Sequence, residues 1–133
     1  MYYNKGIYEG VGGSVMTLTE IATLLEAVSF TKLKLDDIEI QSACGCDLLS
    51  DVLAFTKEKT LLLTGLVHPQ VLRTVEMVDL AGVVFVRGKE PTEEMVVLAQ
   101  EKRIPLLSTL HPMYEACGIL YRAGLAGNSE LKD

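Results

Sequence analysis

A repeat with a period of 22 residues constrains the fold of this 133-residue chain more than any other feature of its sequence. Each copy consists of a short apolar run, a few polar residues and a proline. The runs are residues 61–64, 83–86 and 105–108, and the prolines are Pro69, Pro91 and Pro112. Proline suits the first turn of a helix, because its missing N–H would be unpaired there anyway, so each copy predicts a strand, a loop and a helix. Apolar strands joined by crossover helices form parallel sheets that are covered on both faces. The repeat therefore predicts an α/β fold, with a mostly parallel sheet and helices on both faces.

The residues before the repeat predict a helix and several shorter elements. Thr17 and Glu20 have the spacing of a capping box, in which each side chain accepts a hydrogen bond from the other residue's backbone N–H. The helix that follows carries an apolar stripe made of Leu18, Ile21, Leu24, Leu25 and Val28. Alternation then predicts short strands at Leu33 and Leu35 and at Ile38 and Ile40. Asp47 is expected to cap a second helix, whose apolar positions are Leu48, Leu49, Val52 and Leu53.

A single domain fits the length, since domains typically contain about 100 to 150 residues. We expect this domain to span residues 16–126, between an N-terminal extension of residues 1–15 and a C-terminal tail of residues 127–133. Four of the eleven glycines fall in the extension and interrupt any periodic pattern there. Two interpretations are open: a loose extension ahead of a natural start at Met16, or an added edge strand made of Tyr2, Tyr3, Ile7 and Tyr8.

Composition and charge argue against several classes of protein. Hydrophobic residues make up 49% and charged residues 23%, which is typical of a globular domain and not of a disordered chain. With 12 basic and 18 acidic residues the net charge is -6, so nucleic acid is not an expected partner. The apolar stretches are far shorter than the ~20 residues that cross a membrane, and no signal peptide is recognisable. Three cysteines, an odd number, favour a reduced, cytoplasmic location.

Polar loops follow the three repeat strands, where an open parallel sheet binds its ligands. The loops contain Thr64, Gly65 and His68 after the first strand, Arg87, Gly88, Lys89 and Glu90 after the second, and Ser108, Thr109 and His111 after the third. As a group, these cationic and hydroxyl side chains suit an anionic ligand at the helix N-termini. The alternative, which is favoured for any one of them taken singly, is that the residue satisfies free amides where a helix starts.

Recognisable catalytic and metal-binding motifs do not occur in the sequence. It contains neither a phosphate-binding P-loop nor a Gly-x-Ser-x-Gly elbow, so the sequence predicts no catalytic residues and no metal site, and it identifies no cofactor. Cys44 and Cys46 are separated by one residue, and Cys117 alone cannot complete a four-thiolate cluster with them. Cys44 and Cys46 precede the expected second helix, whose N-terminus would stabilise a thiolate, so they are redox candidates, with simple packing as the alternative.

Four segments, residues 47–54, 80–91, 106–109 and 114–125, together resemble the DRTGG domain family. The resemblance extends over residues 16–125. It implies a fold similar to the N-terminal domain of HPr kinase/phosphorylase, and a regulatory or binding module without known chemistry. Family members occur alone or as accessory domains of phosphotransacetylases and of nucleotide-regulated pyrophosphatases with CBS domains. The chain also resembles small stand-alone members encoded beside iron-only hydrogenase genes, which implies a link to hydrogen or redox metabolism.

The motif that names the family is altered in this chain. Asp37 falls on the motif's Asp, whereas Ile38 and Gln41 replace its Arg and Thr. Ser42 and Ala43 replace the paired glycines, which would let the backbone approach a ligand closely. The family's ligand is therefore not expected to carry over. Other positions do match the family, namely Asp47, His68, Gly88, Glu90 and Pro91, and Asp47 joins the predicted ligand-site residues on that ground.

The sequence as a whole predicts a non-catalytic regulatory domain that senses a nucleotide or another anionic small molecule. A link to hydrogenase or redox metabolism, with a protein partner in the hydrogenase system, follows from the resemblance alone. The alternative is a hydrogenase-associated accessory or redox protein that uses Cys44 and Cys46. We also expect a homodimer, because the final helix and the early strands leave apolar surface that small regulatory modules commonly close about a two-fold axis.

Overall fold

The computed structural model describes residues 15–54 and 57–127. In chain order the elements are β1 (Met16–Thr17), α1 (Leu18–Leu25), β2 (Val28–Ser29), a 3₁₀ turn (Leu35–Asp37), β3 (Glu39–Ile40), β4 (Ser42–Gly45), α2 (Leu49–Val52), β5 (Thr60–Thr64), α3 (Gln70–Met77), β6 (Gly82–Phe85), α4 (Glu93–Lys102), β7 (Leu106–Ser108), α5 (Met113–Arg122) and β8 (Ala126–Gly127). The expected extension, its edge-strand alternative and the expected tail lie outside the described residues, apart from Val15 and Gly127.

The repeat forms the centre of a six-stranded sheet with the order β2-β7-β6-β5-β4-β8. Every neighbouring pair from β7 to β8 is parallel, and only the outer strand β2 is antiparallel, to β7. Strands β1 and β3 form a separate antiparallel pair, in which Met16 lies opposite Ile40. The prediction of a mostly parallel sheet is confirmed.

Helices cover both faces of this sheet, as predicted. On one face α1 and α5 pack over side chains such as Leu61 and Leu63. On the other face α3 and α4 pack over Leu62 and Phe85, among others. Because successive side chains of a strand point to opposite faces, a strand that is covered on both sides must be apolar throughout, and all five residues of β5 are buried. None of the described helices is long and apolar enough to cross a membrane.

The predicted helix starts are mostly correct. The Thr17 and Glu20 capping box forms at α1, with Glu20 N–H donating to Thr17 Oγ1 (3.2 Å) and Thr17 N–H donating to Glu20 Oε1 (2.9 Å). Pro69 and Pro112 directly precede α3 and α5. The middle prediction was wrong by two residues, because Thr92, and not Pro91, caps α4 by accepting the Met95 N–H (3.2 Å).

The short elements of the N-terminal half differ from the prediction. The stripe of α1 does not reach Val28, because the helix ends at Glu26 in the left-handed conformation and Val28 belongs to β2. No strand forms at Leu33 and Leu35, where the chain instead enters the 3₁₀ turn. Strand β4 was missed, since a run of Ser, Ala, Cys and Gly has neither alternation nor β-branched residues to signal it.

Candidate functional site

The carboxyl ends of β4, β5, β6 and β7 share one edge of the sheet, because these strands are parallel neighbours. The last residues of these strands and the loops that follow them contain all nine residues predicted to bind a ligand, namely Asp47, Thr64, His68, Arg87, Gly88, Lys89, Ser108, Thr109 and His111. These residues share an edge but do not form one site, because some of their polar groups are bonded within the protein and others are exposed.

Asp47 holds two neighbouring loops together and does not cap a helix. Its Oδ1 accepts hydrogen bonds from Thr64 Oγ1 (3.0 Å) and from the Gly65 N–H (2.7 Å). Thr64 Oγ1 in turn accepts the Leu66 N–H (3.1 Å). The predicted cap was wrong, because α2 starts after Leu48 and has no side-chain cap. On this side of the edge a carboxylate and a hydroxyl satisfy the protein's own donors.

Ser108 and Thr109 also direct their hydroxyls into the protein. Thr109 Oγ1 donates to the carbonyl oxygen of Leu25 (2.7 Å) and accepts the His111 N–H (3.3 Å). Ser108 Oγ donates to the carbonyl oxygen of Lys89. Both residues are buried, and their hydroxyl hydrogens are committed to backbone carbonyls. The alternative of a structural role therefore describes these two residues better than ligand binding does.

The two histidines, which precede prolines at matching places in the repeat, have different surroundings. His68 is exposed, and its Nδ1 accepts the Gln70 N–H (3.0 Å), so it caps the first turn of α3. It lines a groove of about 570 Å³ between α3 and α4. His111 has a side chain that is 33% exposed, with Nε2 3.9 Å from Glu26 Oε1, and it lines a different groove beside α5.

The loop after β6 is a tight turn with an arginine in an unfavourable conformation. Arg87 and Gly88 have φ values of 58° and 71°, and the Lys89 N–H donates to the carbonyl oxygen of Val86 (3.1 Å). Two successive positive φ values are the pattern of a type I′ turn, where Asn, Asp and Gly are preferred. The left-handed conformation costs a residue such as arginine roughly 1 to 2 kcal/mol, since its Cβ crowds the next carbonyl.

Backbone hydrogen bonds anchor this turn to the next loop. The Arg87 N–H donates to the carbonyl oxygen of His111, and the Gly88 N–H donates to that of Thr109, both at 2.8 Å. The side chains of Arg87 and Lys89 are exposed, and neither makes a hydrogen bond or an ion pair with a described residue. The turn therefore presents two cations at the carboxyl edge on a backbone that is held in place.

The three cysteines differ from the prediction in their electrostatics. Cys44 lies within β4 and is buried, and burial raises the pKa of its thiol to about 12, with smaller contributions from Cys46 and Cys117. The pKa of Cys46 is raised by burial and by nearby carboxylates, and that of Cys117 by burial. The expectation of a thiolate stabilised by a helix N-terminus was wrong, because Cys44 sits inside a strand and α2 begins only after Leu48. Within residues 15–54 and 57–127 no three His, Cys, Asp or Glu side chains are grouped so that they could hold a metal ion.

Sequence reasoning missed a groove beside α5. It is a groove of about 720 Å³ between α5, β4 and β8, and its lining includes Tyr114, Cys117, Gly118, Tyr121 and Arg122. A signal was present in the sequence, because Tyr114, Gly118 and Tyr121 recur at helical spacing on the side of α5 away from its apolar stripe.

Comparison with known proteins supports the fold. No protein-family model matches the chain, and no curated protein matches it either. Among solved structures, the chain is similar to the CBS and DRTGG domains of the regulatory region of Clostridium perfringens pyrophosphatase, in complex with its activator diadenosine tetraphosphate. The TM-score is 0.62 at 12% sequence identity, and the match covers 99% of this chain and 57% of that one. At this identity the similarity concerns the fold alone, and it supports the DRTGG-like fold expected from the sequence.

Proposed function

We propose that this protein is a regulatory domain that binds a nucleotide or another phosphorylated small molecule at the carboxyl edge of its sheet. The observation that carries the proposal is the conformation of Arg87, which is strained while its guanidinium has no partner among the described residues. Strained residues that the surrounding structure holds in place are frequent at functional sites. The pyrophosphatase regulatory region of similar fold binds a nucleotide activator, which favours the same class of ligand here.

The chemistry of the turn suits phosphate. An arginine guanidinium offers paired N–H donors that match two phosphate oxygens, and a lysine ammonium adds a second positive charge. Arg87 and Lys89 are two residues apart on a turn that backbone hydrogen bonds fix to the loop of His111. Because the backbone holds the turn in place, little backbone conformational entropy would be lost there when an anion binds.

A binding role is favoured over catalysis because the hydroxyls at this edge are committed to the fold. Ser108 and Thr109 donate to backbone carbonyls, and neither is paired with a base that could activate it. The homodimer and the cytoplasmic location stay predictions, as does the link to hydrogenase metabolism. The raised pKa of Cys44 disfavours the alternative of a redox protein, because the reactive form of a thiol is the thiolate.

The test compares two arginines that have the same backbone conformation. Arg87 and Arg103 both have φ 58°, but Arg103 ends α4 at the opposite edge of the sheet. Asparagine tolerates this conformation better, so Arg87→Asn and Arg103→Asn should each leave stability unchanged or raise it by roughly half a kcal/mol. Only Arg87→Asn should weaken binding, by about tenfold or more, since a charge-assisted hydrogen bond is lost.

The measurement is isothermal titration calorimetry of the full chain with ATP, ADP, AMP, diadenosine tetraphosphate and inorganic phosphate. Thermal unfolding of both variants provides the stability comparison. The proposal is contradicted if none of these compounds binds to the wild-type protein, or if both arginine variants bind as the wild type does.

A further inference from the structure

Helix α5 has an exposed outer face. Its inner face packs into the core through Ala116 and Leu120. The outer face is formed by Tyr114, Glu115, Gly118, Tyr121 and Arg122, all of which are exposed. Tyr114 is 86% exposed and Tyr121 43% exposed, which are high values for aromatic rings. The groove of about 720 Å³ runs alongside this face.

Gly118 is the residue on this face for which residues 15–54 and 57–127 offer no structural reason. It lies in the middle of a ten-residue helix, where only proline is less favourable than glycine. A Cβ built at Gly118 would meet no atom within 4 Å, so among the described residues nothing requires a glycine there. Gly45 shows the opposite case, because a Cβ at that position would lie 2.7 Å from Cys117 Sγ. A glycine on an open helix face permits close approach by the backbone of another molecule.

The charges on the outer face of one copy of the chain are complementary to those on the same face of a second, antiparallel copy. Glu115 and Arg122 are seven residues apart, which places them on the same side of α5, and neither forms an ion pair with a described residue. Along the helix axis they lie about 4.5 Å and 6 Å on either side of Gly118, at the usual rise of 1.5 Å per residue. If two such helices cross antiparallel at Gly118, Glu115 of each copy faces Arg122 of the other.

We propose that the outer face of α5 binds a second copy of this chain about a two-fold axis close to Gly118. The two glycines let the helices approach, the tyrosines of each copy pack against the other helix, and two Glu115–Arg122 pairs set the antiparallel direction. A two-fold interface uses the same patch on both subunits. This face meets that requirement, because it contains both Glu115 and the oppositely charged Arg122. The inference goes beyond the proposed ligand site, because it uses neither Arg87 nor Lys89.

The first experiment reverses the charges and then restores their complementarity. Sedimentation velocity of the full chain should give a mass near twice 14.6 kDa for the wild type. Glu115→Arg and Arg122→Glu should each raise the dimer dissociation constant roughly tenfold or more, because each places like charges opposite one another twice. The double variant Glu115→Arg with Arg122→Glu should recover the dimer. Glu101→Arg, an exposed charge reversal on α4, serves as the control and should leave the dimer unchanged.

The second experiment uses Gly118→Ala, which should have opposite effects on the monomer and on the dimer. Alanine favours the helix, so the monomer at high dilution should melt at a higher temperature than the wild-type monomer. The added methyl group separates the crossing helices, so the dissociation constant should rise severalfold. A wild-type protein that is monomeric at every micromolar concentration would overturn the proposal, and the face would then belong to another part of the chain or to a different protein. A dimer that survives both single charge reversals would overturn it as well.

Discussion

The two halves of the carboxyl edge contain similar numbers of polar residues but hold their loops together differently. In the half formed by β4 and β5, the side chain of Asp47 makes the connection, through Thr64 and Gly65. In the half formed by β6 and β7, the backbone N–H groups of Arg87 and Gly88 make most of the connection, the Ser108 hydroxyl adds one hydrogen bond to the Lys89 carbonyl, and the side chains of Arg87 and Lys89 are exposed. Where a side chain holds the loops, its polar atoms are no longer available to a ligand. Where the backbone makes most of the connection, the side chains of the turn, Arg87 and Lys89, remain available to a ligand.

This difference predicts which substitutions affect folding and which affect binding. Changes at Asp47, or at buried residues of the preceding strand β4, should lower stability and leave anion binding intact. Changes to the side chain of Arg87 should do the reverse, as the comparison with Arg103 tests. A change to the backbone of the turn itself should affect both properties.

The largest effect on stability is expected at Cys44, a buried residue of β4. Its pKa is raised from 9.0 to about 12 by burial, so above pH 9 the unfolded chain releases the thiol proton while the folded chain keeps it. The contribution of Cys44 to stability is therefore fully present below pH 9 and is lost as the pH rises toward 12. Urea unfolding between pH 8 and pH 10.5 should show a steeper loss of stability for the wild type than for Cys44→Ala. Equal slopes would mean that this thiol is not protected by the fold.

Asp47→Ala should have the next largest effect. It leaves the Thr64 hydroxyl and the Gly65 N–H without their acceptor, which costs about 1 to 3 kcal/mol for hydrogen bonds to a charged group. Asp37→Ala removes the same charge from an exposed side chain without a hydrogen bond to a described residue, and it should be close to neutral. The measurement is urea denaturation, together with calorimetry of whichever nucleotide the wild type binds. A loss of binding without a loss of stability would place Asp47 in the ligand site and contradict its role as a structural connection between the loops.

Gly88→Ala should lower stability less than Asp47→Ala does, and it should also weaken ligand binding. A side chain at φ 71° costs about 1 kcal/mol, and its Cβ would lie 3.3 Å from Leu110 Cδ2. Because the turn shifts, the guanidinium of Arg87 shifts with it, and binding should weaken severalfold. Thermal unfolding and calorimetry of this single variant should show the loss of stability and the weaker binding in one protein. Unchanged binding would mean that the position of the turn is irrelevant to the ligand.

The sequence was sufficient for the elements whose physics is local or periodic. The apolar runs of the repeat predicted three central strands, and the Thr17 and Glu20 spacing predicted the start of α1, because both signals lie within a few residues. Strand β4 could not be predicted in the same way, since it is a strand only because β5 and β8 pair with it. The sequence also predicted that the candidate residues share one edge of the sheet, because they follow strands that were expected to be parallel.

The use of each polar group could not be read from the sequence. An Asp before an apolar run is typical of a helix cap, and only the parallel register of β4 and β5 brings Asp47 to the Gly65 N–H, 18 residues away. In the same way, the dipeptide of Arg87 and Gly88 is compatible with a turn. That the backbone of this turn is bonded to the loop of His111 depends on the pairing of β6 with β7.

The shortness of the outer strand β2 has a consequence for solubility. The interior strands of the sheet are strongly apolar, and a sheet that ended on such a strand would offer a long row of unpaired backbone groups to other molecules. Here the antiparallel strand β2 closes that side with two residues, Val28 and Ser29, and the chain then turns away after Phe30, whose N–H donates to the carbonyl oxygen of Leu106. A short edge strand is one of the devices by which natural sheets resist edge-to-edge aggregation. The protein thus buries runs such as residues 61–63 at the centre of its sheet, and on the β2 side it presents only a two-residue strand to other molecules.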